Sequence, residues 1–264
     1  CEYFSMGANP ADSLERHIEA HDLVIRAWTE EGPFAFEGKH YHFEYVNTWP
    51  RPYQQPHPPI WCPSQGSSET IKWAAHPDRK YTYLQTYSAF DSVLRYLNSY
   101  RAAARNLYGY AATSKQIAWC TPAYVADTDA QAIDEARPHI QTMFNKLLPK
   151  ISQSMFVPPG YMSNESMKQI FAHKATLRGG QTIEDMIARG VIAVGSPDTV
   201  RSILTERHRQ AGFDHLLLMP QFGTMPGELA EKNIRLLAAE VIPALQTLND
   251  DDYIGFEPAA AAAE

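Results

Sequence analysis

Four short apolar runs constrain the fold of this chain more than any other feature. They lie around Ile60-Trp61-Cys62, at Tyr81-Thr82-Tyr83-Leu84, from Gln116 to Ala126, and at His215-Leu216-Leu217-Leu218-Met219. Runs of this length with little polar alternation are those of strands covered on both faces, the usual condition in a parallel sheet. Stretches of helical period lie between them. Phe90, Val93, Leu94, Leu97, Tyr100, Arg101, Ala104 and Leu107 form one stripe. Ala132, Ala136, Ile140, Met143 and Leu147 form another behind Thr128-Asp129, with Pro138 expected to kink or split the helix. Val191 to Val194 leads into Gly195-Ser196-Pro197, where Ser is an N-cap residue and Pro suits the first helical position; this third stripe, Val200, Ile203, Leu204 and Ala211, ends at Gly212. The alternation implies a β/α barrel, and four strands are only part of the eight that close one. Such a fragment keeps two edges of unpaired backbone groups and is expected to need a missing half, or another copy, along both.

The flanking segments are less regular. Asp12 and Glu15 have capping-box spacing, and Leu14, Ile18, His21, Ile25 and Trp28 mark a helix over about residues 12–30, stopped by Glu31-Gly32-Pro33. Phe34, Phe36, Tyr41, Phe43 and Tyr45 around Gly38-Lys39 read as a β-hairpin, with His40 and His42 on its other face as either a metal pair or a solvated face. Five prolines in residues 47–59 enforce an extended run. Residues 149–181 lack periodicity, so they read as a substrate cover with Phe156, Tyr161 and Met162 toward a pocket, or as a surface insertion. Ile234, Leu237, Val241 and Leu245 mark a closing helix over 228–245; residues 246–264, acidic and then alanine-rich, read as a mobile tail.

Chemistry concentrates in HPPIWCPSQGSSETIKWAA, residues 57–75. A strand, a small-residue turn and a helix N-terminus follow one another directly, an arrangement that favours a phosphate because first-turn N–H groups and the helix dipole converge there. Read alone, Ser67 serves equally as an ordinary helix cap. Cys62 and His57 suggest a thiol nucleophile, against which stands the usual role of a strand cysteine as a small buried hydrophobe. Trp61, Trp119 and Tyr83 are candidates for a pocket wall, or for core.

PRPYQQPHPPIW followed by GSSETIKWAA resembles the middle of the bacterial luciferase-like family of flavin-dependent monooxygenases. EYFSMGANPADSLERHIEAHDLVIRAWTEEGPFAFEGKHYHF upstream, and GSPDTV and FGTMPGELAEKNIRLLAAEVIPAL downstream, extend the resemblance over most of residues 2–245 as one barrel domain. It implies a TIM-type barrel of which this chain is the C-terminal part, with the residues usually assigned to catalysis in the absent portion. It also implies an FMN phosphate site on Gly66, Ser67 and Thr70. The activity implied is oxidation of a small organic substrate by O2 and reduced FMN, with a separate flavin reductase as partner and a homo-oligomeric state. A related branch uses a deazaflavin, and a non-catalytic flavin-binding subunit is the second reading. A flavin-free lyase or isomerase using the same cup would need a lysine or carboxylate at a strand end, and the four strands offer none convincingly.

The 264 residues suffice for a well-buried core, and the net charge of -7 with no concentrated basic face argues against nucleic acid. No apolar run could span a bilayer and no leader precedes the first helix, so the expectation is a soluble cytoplasmic protein. Cys1, Cys62 and Cys120 fit neither a disulfide framework nor a zinc site.

Overall fold

A computed structural model describes residues 2–86, 88–150, 157–164, 166–168, 180–249 and 253. They belong to two compact units, residues 1–60 with 151–167, and residues 61–150 with 168–264.

In the first unit a 3₁₀ turn at Pro10–Asp12 leads into the Ser13–Thr29 helix. β1 (Phe34–Glu37) and β2 (His42–Val46) form the expected antiparallel hairpin, with Phe36 opposite Phe43. The capping box does not form. Asp12 makes no side-chain cap, and Glu15 instead meets Lys39 Nζ and His40 Nε2. One turn further on, Glu19 accepts the backbone N–H groups of Lys39, His40 and Tyr41. The two carboxylates clamp the hairpin tip, a use of Glu15 that sequence spacing does not reveal. His42 Nδ1 lies 3.1 Å from Glu37, so both hairpin histidines face carboxylates. The helix stripe is less covered than expected: no residue of this helix is fully buried, and Leu14 is exposed. Of the 149–181 excursion, Phe156 falls outside the described residues, while the Tyr161 ring lies 5.6 Å from that of Tyr3.

The second unit holds the parallel sheet of β3 (Trp61–Ser64), β4 (Thr82–Thr86), β5 (Ile117–Val125), β6 (Ala193–Gly195) and β7 (His215–Met219). The four expected strands pair in the order β3-β4-β5-β7, and β6 continues along the far end of β5 at Ala123–Val125. Neighbours among β3, β4, β5 and β7 thus follow chain order, as in a (β/α) barrel, with β6 set aside on β5, and the sheet is open among the described residues. It is nevertheless curled. Trp61 on β3 and His215 on β7 have ring centroids 4.8 Å apart, although three strand spacings of about 4.8 Å would hold flat outer strands roughly 14 Å apart.

Helices Ser68–Ala74, Phe90–Tyr108, Asp129–Thr142 and Pro197–Ala211 lie between the strands. Thr128 and Ser196 cap their helices as expected, and Gly212 ends the last with φ +57°, a left-handed conformation that glycine adopts without steric cost. The Asp129–Thr142 helix runs through Pro138 and then widens into a π turn at Met143–Leu147. β7, whose sequence reads as fully buried, is half-exposed at all five residues. Among the described residues it pairs with one strand, β5, so its outer edge is open there. The closing helix occupies Gly227–Leu236, a π turn at Leu237–Val241, and Ile242–Leu245. Its buried side is Ala230, Asn233, Leu237 and Val241, while Ile234 is exposed. Of the expected tail, residues 250–252 and 254–264 fall outside the described residues. Asn249 O lies 3.1 Å from His208 Nε2, and the Tyr253 ring lies under the Arg101 guanidinium.

Candidate functional site

Where β3 ends, Gln65 and Gly66 turn the chain into the Ser68–Ala74 helix. Ser67 is its N-cap: Oγ accepts the Thr70 N–H at 3.4 Å and donates to Glu69 Oε2 at 2.7 Å. Gly66 has φ +101°, a region that L side chains rarely occupy. A Cβ there would lie 2.3 Å from the Tyr96 ring, so two separate constraints exclude a side chain at this position. The Gly66 N–H donates to Ser64 Oγ at 3.0 Å.

The loop is fastened from β4. Gln85, fully buried, donates through Nε2 to Ser64 O at 3.0 Å and to the Tyr83 hydroxyl at 2.7 Å. Gln65 Nε2 donates to Thr86 Oγ1 at 2.7 Å. These bonds fix the bend while Ser67 and Thr70 stay half-buried, so three residues expected at the phosphate cup do come together. The Ser67 hydroxyl suits a phosphate, while the space a Gly66 side chain would take is filled by the Tyr96 ring. The anion already at Ser67 is the protein's own Glu69 carboxylate.

The second sequence-marked helix start is occupied differently. Asp129 Oδ1 accepts the Ser196 N–H at 2.6 Å, and Oδ2 accepts the Thr199 hydroxyl at 3.0 Å. These two donors hold its carboxyl below the usual carboxylate range.

Of the three candidate pocket aromatics, only Trp61 lies on the concave face. Tyr83 stacks on Tyr100 at 5.4 Å, and Trp119 packs between Phe90 at 5.1 Å and Phe213 at 5.6 Å. Register explains the split: Trp61 pairs beside Thr82, and Tyr83, the next residue, points to the opposite, helix-covered face. Burial pushes the Cys62 thiol up to about 11, which keeps it protonated and argues against a nucleophile. The His57 ring lies 5.9 Å from Trp28, with Nδ1 2.8 Å from Pro58 O.

Sequence reading missed Ser64, Gln85 and Tyr96. Tyr96 sits beside the stripe of the Phe90–Tyr108 helix, three residues from Val93 and four from Tyr100; a wider apolar face would have included it. Among the described residues no group of three or more His, Cys, Asp or Glu could hold a metal ion, and no helix is long and apolar enough to cross a membrane.

Comparison by sequence with curated proteins finds no match. Among solved structures, monooxygenase RslO1 from Streptomyces bottropensis is similar with TM-score 0.65 and 21% identity, over 92% of this chain and 65% of that one. The FMN complex of the oxygenating constituent of 3,6-diketocamphane monooxygenase from Pseudomonas putida is similar with TM-score 0.59 and 21% identity, over 85% and 62%. Coenzyme F420-dependent tetrahydromethanopterin reductase from Methanopyrus kandleri is similar with TM-score 0.57 and 19% identity, over 89% and 64%. The chain thus spans less than two thirds of the length of each of these structures. The family model for luciferase-like monooxygenases matches residues 2–215, and with the curled parallel sheet and its strand order, this chain belongs to that family.

Proposed function

We propose that the protein is a flavin-dependent monooxygenase that binds reduced FMN by its phosphate at Gly66, Ser67 and Thr70 and oxidises a small organic substrate with O2. The observation that carries this reading is the bend at Gly66, where the half-buried Ser67 hydroxyl caps the Thr70 N–H at the end of β3. Reduced FMN supplies the electrons for oxygen activation when bound; the residues described here bind and orient it. Ser67 exchanges its bond to Glu69 for one to a phosphate oxygen, Thr70 adds a second hydroxyl, and the Gln85 bonds keep the bend in place. The apolar concave face, with Trp61 and Leu217, excludes water beside the ring system.

A separate reductase supplies the reduced flavin, and the protein works in the cytoplasm as a homo-oligomer. A deazaflavin is the second reading, favoured by the similarity to an F420-dependent reductase. The variant Ser67→Ala with Thr70→Val tests the cup. It should weaken FMN binding by about ten-fold or more and leave riboflavin, which lacks the phosphate, unaffected. Unchanged FMN affinity would overturn the assignment. Tight binding of a deazaflavin cofactor with no binding of FMN would replace the cofactor while keeping the cup.

A further inference from the structure

The charge of this chain is unevenly placed. It is -7 overall, yet residues 70–126 hold seven lysines and arginines against two acids, Asp78 and Asp91. Five of those cations, Lys72, Arg79, Lys80, Arg105 and Lys115, collect at one end of the sheet. Lys80 Nζ lies 4.9 Å from the centre of the Tyr110 ring, and Arg79 packs over Trp73 at 4.6 Å. The Tyr108 hydroxyl donates to Lys72 O at 3.1 Å, and Arg105 lies one turn before Tyr108 on the same helix. Gln116 Nε2 donates to Lys80 O at 3.3 Å, and the Thr82 hydroxyl donates to Lys115 O at 3.2 Å. Lys80 and Lys115 thus stand at the starts of β4 and β5, the end of the sheet opposite the Gly66 bend.

Many cations elsewhere are matched: Arg26 pairs with Glu30, Arg137 with Glu184, Lys232 with Glu135 and Arg235 with Glu231. None of these five has a carboxylate partner among the described residues. Asp78 turns to His76 at 3.5 Å, and Asp214 meets the cluster at its edge, its N–H donating to Ser114 O at 3.2 Å. Like charges gathered in this way repel one another, and a run of carboxylates laid across them relieves that repulsion. The chain carries such a run: residues 250–264 hold Asp250, Asp251, Asp252, Glu257 and Glu264 and no lysine or arginine. These acids fall outside the described residues, but the described positions among them lead to the same end of the sheet. Asn249 O lies 3.1 Å from His208 Nε2. The Tyr253 ring lies 5.0 Å from the Arg101 guanidinium, and so close to Gly212 that a Cβ there would meet it at 2.8 Å. Arg101 is one helical turn before Arg105, about 6 Å between Cβ atoms.

We propose that the acidic C-terminal segment docks across this basic face of its own chain, its carboxylates pairing with Arg105, Lys115 and Lys80 and Tyr253 anchoring it on Arg101. The inference uses no part of the phosphate reading. Exposed pairs are individually weak, so docking depends on several acting together, and salt loosens it.

A carbodiimide, which joins a carboxylate to a nearby primary amine, tests this on the full chain. Mixing unlabelled with isotope-labelled protein separates links within one chain from links between two. Peptides from residues 249–257 should be joined within one chain to Lys72, Lys80 or Lys115, and the yield should fall about five-fold in roughly 0.5 M salt. Arg105→Glu keeps every lysine and should lower the yield about three-fold or more. Arg95→Glu makes the same charge change on an exposed residue of the same helix, about 15 Å away, and should leave the yield unchanged. Both residues are exposed, so neither variant should shift the melting temperature. Equal yields at Lys146 or Lys232, no links at all, or an equal loss in Arg95→Glu would each overturn the inference. Links only between labelled and unlabelled chains would give the face to a second copy and overturn docking within one chain.

Discussion

At the scale of single residues, Gly66→Ala places one methyl group where the structure has no room for it. The left-handed φ of +101° and the Tyr96 ring at 2.3 Å act together, so the variant should lose about 1–3 kcal/mol in chemical denaturation. An unchanged midpoint would show that the bend is not held as described. Cys62 makes an opposite kind of prediction. With its thiol raised to about 11 by burial, it should stay unlabelled by a thiol reagent at neutral pH until the protein unfolds. Rapid labelling in the folded protein would reinstate the nucleophile reading. The Cys62 outcome was legible in sequence, because a strand cysteine between apolar neighbours is ordinarily buried. The Tyr96 contact was not, because it joins residues 30 positions apart on separate elements.

At the scale of elements, the sheet depends on a side chain from the closing helix. β7 ends where β5 continues, and Asn233 takes over the ladder. Its Oδ1 accepts the Val125 N–H, and its Nδ2 donates to Ala123 O and Pro220 O, each at 2.8 Å. Asn233→Ala strands these backbone groups in a buried place and should cost about 2–4 kcal/mol, read as a lowered denaturation midpoint with little change in its slope. Asp129 performs a similar service for the Pro197–Ala211 helix. Because its carboxyl is held below the ordinary range by Ser196 and Thr199, its contribution is complete above the unfolded value near 4. That contribution is lost as pH falls through the lower folded value. Asp129→Asn should therefore be less stable than the wild type by about 1 kcal/mol or less at pH 7, and the two should converge in acid, once the folded carboxyl is protonated. A gap that persists in acid would assign the effect to packing.

Strands, helix stripes and caps such as Ser67, Thr128 and Ser196 were legible because each is written in neighbouring residues. Asn233, Asp129 and Glu15 were read otherwise, or not at all. Each acts on a partner far away in sequence, backbone for Asn233 and Asp129 and side chains for Glu15, and local spacing carries no trace of that. The half-exposure of β7 escaped for a related reason: its composition speaks for burial, while its position at the end of the strand order decides the matter.

At the scale of the whole molecule, β3 and β7 each pair with one strand among the described residues. Open edges of parallel strands offer backbone donors and acceptors to any further strand, which supports the proposed association of copies. Sedimentation at micromolar concentration should show a species heavier than the monomer; a monomer alone would remove that proposal. The most direct measurement of the central claim is a crystal structure of the protein with FMN. The account predicts phosphate oxygens about 3 Å from Ser67 Oγ and Thr70 Oγ1, with Glu69 turned away from Ser67. A phosphate bound elsewhere, with the Ser67 to Glu69 bond intact, would contradict it.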